Sequence, residues 1–165
     1  MKRRALLASF GAGSLLAGCG FQLRKAPDFA FSSIYIGSTP NSPLGKELKR
    51  SIASNGKVTV LEAAGIDKAD VIMDVLTEQR EKVVVGLNAS GQVREFQLRT
   101  RLKFKLRTPQ GKELIPETEL LQQRDISFNE SVVLAKEAEE NLLYRDMQTD
   151  IVQQLMRRLA ALKTL

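Results

Sequence analysis

Val93-Arg94-Glu95-Phe96-Gln97-Leu98-Arg99-Thr100-Arg101-Leu102-Lys103-Phe104-Lys105-Leu106-Arg107-Thr108 alternates almost without a break. Phe96, Leu98, Thr100, Leu102, Phe104 and Leu106 fall on one side; Glu95, Gln97, Arg99, Arg101, Lys103, Lys105 and Arg107 fall on the other. A period of two sustained this long predicts a β-strand with one buried and one wet face. At about 3.4 Å per residue, such a strand runs for roughly 50 Å. It needs a strand to pair with and an apolar layer of matching length to cover it.

The neighbouring segments supply both. Upstream, Asp70 to Leu87 is rich in Val and Ile, and Asn88-Ala89-Ser90-Gly91 has turn chemistry, so the two segments form a long antiparallel hairpin. Downstream, Pro109-Gln110-Gly111-Lys112 is a second turn; Glu113 to Phe128 is mixed and interrupted by Pro116, with part of it pairing as a further strand. From about Ser131 to Leu162 the chain reads as one long helix. Leu143, Met147, Ile151, Leu155 and Leu159 recur every four residues, flanked by Ala138, Leu142, Val152, Met156 and Leu162. Thirty residues of helix give roughly 45 Å, close to the length of the hairpin.

Before the hairpin, Phe31 to Gly37 and Lys57 to Glu62 read as short strands. Between them, Ser42-Pro43 starts a helix as N-cap and first helical residue, Leu44, Leu48 and Ile52 make its apolar stripe, and Asn55-Gly56 ends it. Strand, helix, strand in so short a span is a βαβ crossover. The expected fold class is α+β: a two-layer sandwich with two helices packed on one face of a four- to five-stranded mixed sheet.

The N-terminus carries a different signal. Lys2-Arg3-Arg4 precedes a short apolar run from Ala5 to Leu16, and Leu16-Ala17-Gly18-Cys19 follows. The run is too short for the roughly 20 residues of a membrane-spanning helix, so it reads as a cleaved export signal. The small residues and the cysteine resemble a bacterial lipobox. Residues 1–18 are thus a lipoprotein signal peptide, 19–30 the lipidated N-terminus and linker, and 31–165 the folded domain. Cys19, the single cysteine, is the expected acylation site. Several acyl chains on it would anchor durably, at about 0.8 kcal/mol per buried CH₂. Gly20 stands where an Asp would retain an enterobacterial lipoprotein in the inner membrane. The expected location is therefore the inner leaflet of the outer membrane, with the domain on the periplasmic side. A linker this short keeps the domain close to that surface.

Composition excludes more than it selects. The 165 residues carry 25 Lys and Arg against 19 Asp and Glu, a net charge of +6 that falls to +3 once Lys2, Arg3 and Arg4 leave with the signal. That is not the charge of a nucleic-acid binder. With no His there is no Ser-His-Asp or Cys-His constellation and no imidazole for zinc. Neither an enzyme nor a metal protein is expected, and no cofactor beyond the lipid on Cys19.

Four stretches resemble one family. Cys19-Gly20-Phe21-Gln22-Leu23-Arg24 resembles the start of mature LPS-assembly lipoproteins, the LptE (RlpB) family. Gly91-Gln92-Val93-Arg94-Glu95-Phe96-Gln97-Leu98 is similar to its central strand, Leu134-Ala135-Lys136-Glu137-Ala138-Glu139-Glu140 to its L-A-K-x-x-E stretch, and Gln154-Leu155-Met156-Arg157-Arg158-Leu159 to its Q-L-x-R-[RK]-L ending. The resemblance implies two helices on a mixed sheet. It also implies a partner, the β-barrel LPS translocon (LptD) that such lipoproteins plug and help assemble, and a ligand, lipopolysaccharide (LPS), delivered to the outer leaflet. A pilot lipoprotein for another secretion pore is the alternative with the same export and lipidation.

The candidate LPS contacts are cations. Arg99, Arg101, Lys103, Lys105 and Arg107 form a row on the wet strand face. Such a row is either a solvated face offset by carboxylates on neighbouring strands or a surface for lipid A phosphates, which suit Arg forks and Lys point charges. Lys136, near the start of the last helix, opposes the helix dipole. Screening by Glu137, Glu139 and Glu140 would explain it, whereas the resemblance makes it the first candidate for a phosphate contact, with Arg94 next. The hairpin tip from Asn88 to Gly91 carries no basic residue.

Overall fold

The computed structural model describes residues 27–165, so the signal peptide, Cys19 and Gly20 lie outside the described residues. Its elements are β1 (Ser33–Gly37), α1 (Pro43–Ala53), β2 (Thr59–Leu61), a 3₁₀ turn at Ala63–Lys68, β3 (Val71–Leu87), β4 (Val93–Arg107), β5 (Glu113–Ser127), a 3₁₀ turn at Glu130–Val132 and α2 (Val133–Ala160). The sheet order is β2-β1-β3-β4-β5. β1 pairs in parallel with β2 and β3, and β3, β4 and β5 form an antiparallel meander. Both helices pack on one face of this mixed sheet, as the alternation of β4 requires.

Local chemistry sets the boundaries. Ser42 Oγ accepts from Gly45 N at 2.8 Å, with Pro43 at the first helical position. Leu44, Leu48 and Ile52 are buried, and Gly56 adopts φ 73° just beyond the helix, where a side chain would be strained. Asp70 fixes the start of β1, where its carboxylate accepts from the backbone N–H groups of Ser32 and Ser33 at 2.8 and 2.9 Å. In β4, Leu98, Leu102, Phe104 and Leu106 are fully buried. Above them lie Met147, Ile151, Leu155 and Leu159 of α2, also fully buried.

Three expectations change. Pro116 does not interrupt β5, which runs unbroken for 15 residues. The pairing slips between Phe104–Thr118 and Leu106–Ile115, so Pro116 sits in a bulge on an edge strand, where its missing N–H leaves no ladder bond unmade. The last helix starts at Val133, not Ser131, because Asn129 Oδ1 caps a separate 3₁₀ turn by accepting from Ser131 N at 2.9 Å. Leu142 is 52% exposed and does not flank the core; Tyr144 and Gln148 occupy the buried face beside Met147.

Candidate anion-binding site

The two sets of cations meet different environments. On the uncovered face of the sheet, β4 presents its row between two strands that carry carboxylates in register. Arg107 Nε lies 2.8 Å from Asp74 Oδ2 on β3, and Arg101 Nη1 2.8 Å from Glu119 Oε1 on β5. Lys103 Nζ lies 3.6 and 3.9 Å from Glu119 and Glu117, and Arg99 Nε donates to Gln97 Oε1 at 2.8 Å. The hydrogen bond from Arg107 to Asp74 raises the guanidinium pKa above its ordinary value, against a small opposing effect of burial. Lys105 faces Asp74 across the ladder without an ion pair among the described residues. Most of the row is thus internally matched, which removes the repulsion that five cations on one strand would feel. These half-exposed pairs stabilise the sheet by at most about 1 kcal/mol each.

The second set gathers at the far end, where the hairpin tip passes under the start of α2. Lys136 lies in the first turn of α2 with only 21% of its side chain exposed. Its Nζ donates to Ser127 Oγ at the end of β5 at 3.0 Å and to Glu139 Oε2 at 2.9 Å. Lys136 is therefore half-buried and partnered, with Glu139 among the carboxylates expected to screen it. Beside it stands Lys82 of β3, which sequence reading did not single out. Lys82 Nζ lies 2.6 Å from Glu140 Oε2 and 4.3 Å from the centroid of the Phe96 ring. Phe96 packs edge-on against Phe128 at 5.4 Å. A hollow of about 70 Å³ opens here between Phe96, Phe128 and Val133, with Lys82 and Lys136 and the carboxylates Glu137 and Glu140 also on its wall. Next to it a polar hollow of about 190 Å³ is lined by Gln92, Arg94, Asn129 and Ser131. The structure brings Lys136 and Arg94 to one corner of the molecule and keeps Arg99 through Arg107 on the opposite face of the sheet.

Lys82 was legible in principle. With the turn at Asn88–Gly91, the hairpin register sets Lys82 opposite Leu98 and Arg80 opposite Thr100, on the covered face. Arg124 flanks Leu98 from β5. These three cations find partners on α2: Arg80 Nη2 donates to Gln148 at 2.8 Å, Lys82 reaches Glu140, and Arg124 Nη2 reaches Asp150 at 2.9 Å. Tyr144 hydroxyl donates to the Glu81 carbonyl at 2.7 Å, and burial, aided by Glu140, pushes its pKa up. Chemically, the corner offers two ammonium groups, each already ion-paired with a carboxylate of α2, the Arg94 guanidinium in the neighbouring hollow, and an aromatic, partly apolar floor: a phosphorylated amphiphile would have to compete with Glu139 and Glu140 for the lysines. Among the described residues, no cluster of carboxylates is arranged to hold a metal ion, and no helix is long and apolar enough to cross a membrane.

Comparison with known proteins agrees with this architecture. The family model described as "Lipopolysaccharide-assembly", LptE, matches residues 31–159. The LPS-assembly lipoprotein LptE of Photorhabdus laumondii is 28% identical over 165 aligned residues, covering 96% of this chain and 87% of its own. That of Yersinia pestis is also 28% identical, covering 96% and 77%. Among solved structures, a lipoprotein B of Nitrosomonas europaea superposes with a TM-score of 0.74 at 34% identity, covering 86% of this chain and 91% of its own. Rare lipoprotein B of Shewanella oneidensis shares the fold at 20% identity and a TM-score of 0.64, covering 79% and 95%. With the family pattern running through β1, the hairpin and α2, the chain belongs to the LptE family of lipopolysaccharide-assembly lipoproteins.

Proposed function

We propose that this LPS-assembly lipoprotein is held by acyl chains on Cys19 in the inner leaflet of the outer membrane, faces the periplasm, and binds LPS as plug and assembly partner of the β-barrel translocon LptD. The family match over residues 31–159 carries this reading. The corner at Lys82, Arg94 and Lys136 supports its ligand, with LPS phosphates displacing Glu140 and Glu139 from the two lysines. Phosphates of lipid A and the inner core would take the ammonium and guanidinium groups, while Phe96 and Phe128 offer apolar surface beside them. The charge-matched face of β4 suits a different role: a wet, polar surface inside a barrel lumen, where paired charges need no counterion.

Isolation of the full-length lipidated protein from native outer membranes tests the reading. A detergent-stable one-to-one complex with the barrel, carrying LPS, is the expected result. Recovery of the chain as a free monomer while the barrel is intact elsewhere would overturn the plug. Persistence of palmitate label in Cys19→Ser would overturn the anchor.

A further inference from the structure

Exposed apolar side chains are not spread evenly over this molecule. Of the ten large apolar residues exposed among the described residues, six lie in two short segments: Val84, Val85 and Leu87 at the end of β3, and Val132, Val133 and Leu134 at the start of α2. Scattered singly, such groups need no explanation; gathered in one place they mark a binding surface. The fold brings the two segments to one end. Val84 lies opposite Phe96 in the ladder, and Phe96 and Val133 wall the same hollow. Leu87 lies opposite Val93, which shares the second hollow with Gln92, Arg94, Asn129 and Ser131. From Val83 to Val93 the hairpin carries no charged residue, although 27% of the chain is charged.

The ladder presents these groups outward. β1 pairs with β3 only as far as Asp74, so beyond that point β3 has a neighbour on one side alone. Val85 is the extra residue between the pairs Val84–Phe96 and Gly86–Glu95, and Arg94 is the extra residue between Gly86–Glu95 and Leu87–Val93. Two successive bulges, one on each strand, thus release an apolar side chain and a cation from the ladder at the same place. Gly86 permits this, since a Cβ there would stand 2.9 Å from the Glu95 Cβ. The same bulges break the even spacing of free N–H and C=O groups along the β3 edge, which disfavours a partner strand. An apolar surface bordered by cations, on an irregular backbone, fits flexible hydrocarbon attached to an anionic head.

We propose that Val84, Val85 and Leu87, with Val132 to Leu134, hold the acyl chains of LPS beside the corner that takes its phosphates. This rests on the reading of LPS as the ligand and adds where the hydrocarbon goes. In lipid A one disaccharide carries both phosphates and acyl chains, so their sites on a protein must adjoin, as the two hollows and the apolar rim do here. The chains also supply what the cations alone do not. Lys82 and Lys136 already have Glu140 and Glu139 as partners, so a phosphate exchanges one anion for another, whereas removing acyl chains and the exposed valines and leucines from water is a net gain.

The test uses the full-length lipidated protein in detergent and two probes: intact LPS, and LPS freed of its ester-linked acyl chains by mild alkali, which keeps its phosphates. Val85→Ser/Leu87→Ser/Leu134→Ser changes only exposed side chains and should melt as the wild type does. It should bind intact LPS at least about tenfold more weakly than the wild type, and bind the deacylated form equally well. Unchanged affinity for intact LPS, or an equal loss on both probes, would overturn the acyl site while leaving LPS as the ligand. If the wild type binds neither probe, the LPS reading fails and the acyl site with it. Benzoylphenylalanine in place of Leu87 gives a second readout in outer-membrane vesicles. Photoadducts with LPS are expected; adducts with a protein chain alone, whether a partner strand or the barrel wall, would overturn the proposal.

Discussion

The two ends of the sheet are held together by different physics. At the near end, Ile34, Ile36 and Met73 of the sheet, Leu44, Leu48 and Ile52 of α1, and Ile151, Leu155 and Leu159 of α2 are buried in one continuous apolar cluster. At the far end the buried cluster shrinks to Leu98, Ile126, Tyr144 and Met147. Around it, on the covered face, stand Arg80, Lys82 and Arg124, each matched by a polar group on α2. A polar layer separates the ends: Arg80 bonds Gln148, Gln148 bonds Glu47 of α1, and Thr100 lies buried beside them. The far end also leaves apolar groups in water, with Leu134 82% and Leu87 61% exposed. Burial makes the near end a scaffold. The far end spends part of its core on charges, which is where a binding function can reside on a fold fixed elsewhere.

The largest expected effect falls at the near end. Leu155→Ala should cost about 2–5 kcal/mol and lower the protection of amides throughout the domain. Met147→Ala should instead speed hydrogen exchange in the N-terminal half of α2 while Ile151 to Leu159 keep their protection. If Met147→Ala melts the whole domain as one unit, the division into two ends is wrong. A smaller effect is expected at the dividing layer. Thr100 Oγ1 is buried with no partner among the described residues. Thr100→Val keeps the shape, removes a desolvated hydroxyl, and should be neutral or stabilising by up to about 1 kcal/mol in urea titration. A clear destabilisation would show that the hydroxyl is bonded in solution.

The smallest effect is a pH dependence at the near end. Backbone and hydroxyl donors of Ser32 and Ser33 hold the Asp70 carboxylate below the ordinary aspartate pKa, led by the Ser32 N–H and opposed by burial. The ionised form is therefore favoured by folding. Its contribution is complete above the unfolded value of about 3.9 and is lost as pH falls through the lower folded value. Asp70→Asn should flatten the acid limb of the stability curve below about pH 4 and leave the far end unaffected. An unchanged acid limb would remove Asp70 as a source of acid lability.

The near end was the more legible from sequence. Period two in β4 and period four in α1 and α2 gave the layers, the covered face and most of the core, because burial leaves a periodic trace. Pro116 misled because an edge strand with a bulge tolerates what a central strand does not. The far end was harder to read for a physical reason: Arg80, Lys82 and Arg124 break the rule that the covered face is apolar, and their partners lie about 25–70 residues away on α2. Lys136 was identifiable through family resemblance, and its pairing with Glu139 one turn on was legible among the screening carboxylates, but its bond to Ser127 was not, since that contact depends on how β5 meets the helix start.

The central claim is that the far corner contacts the phosphates of LPS. Its most direct test is LPS binding by the full-length protein carrying Lys136→Asp, measured beside Glu139→Gln. Lys136→Asp removes one cation and adds repulsion, and should weaken binding at least about tenfold, or roughly 1.4 kcal/mol. The lost pair with Glu139 should cost at most about 1 kcal/mol of stability. Glu139→Gln keeps the cation and releases it from its ion pair, so binding should hold or tighten. If Lys136→Asp binds LPS as tightly as the wild type while folding normally, or if Glu139→Gln weakens binding as much as Lys136→Asp does, Lys136 is a structural tie between β5 and α2 and the account of this corner is wrong.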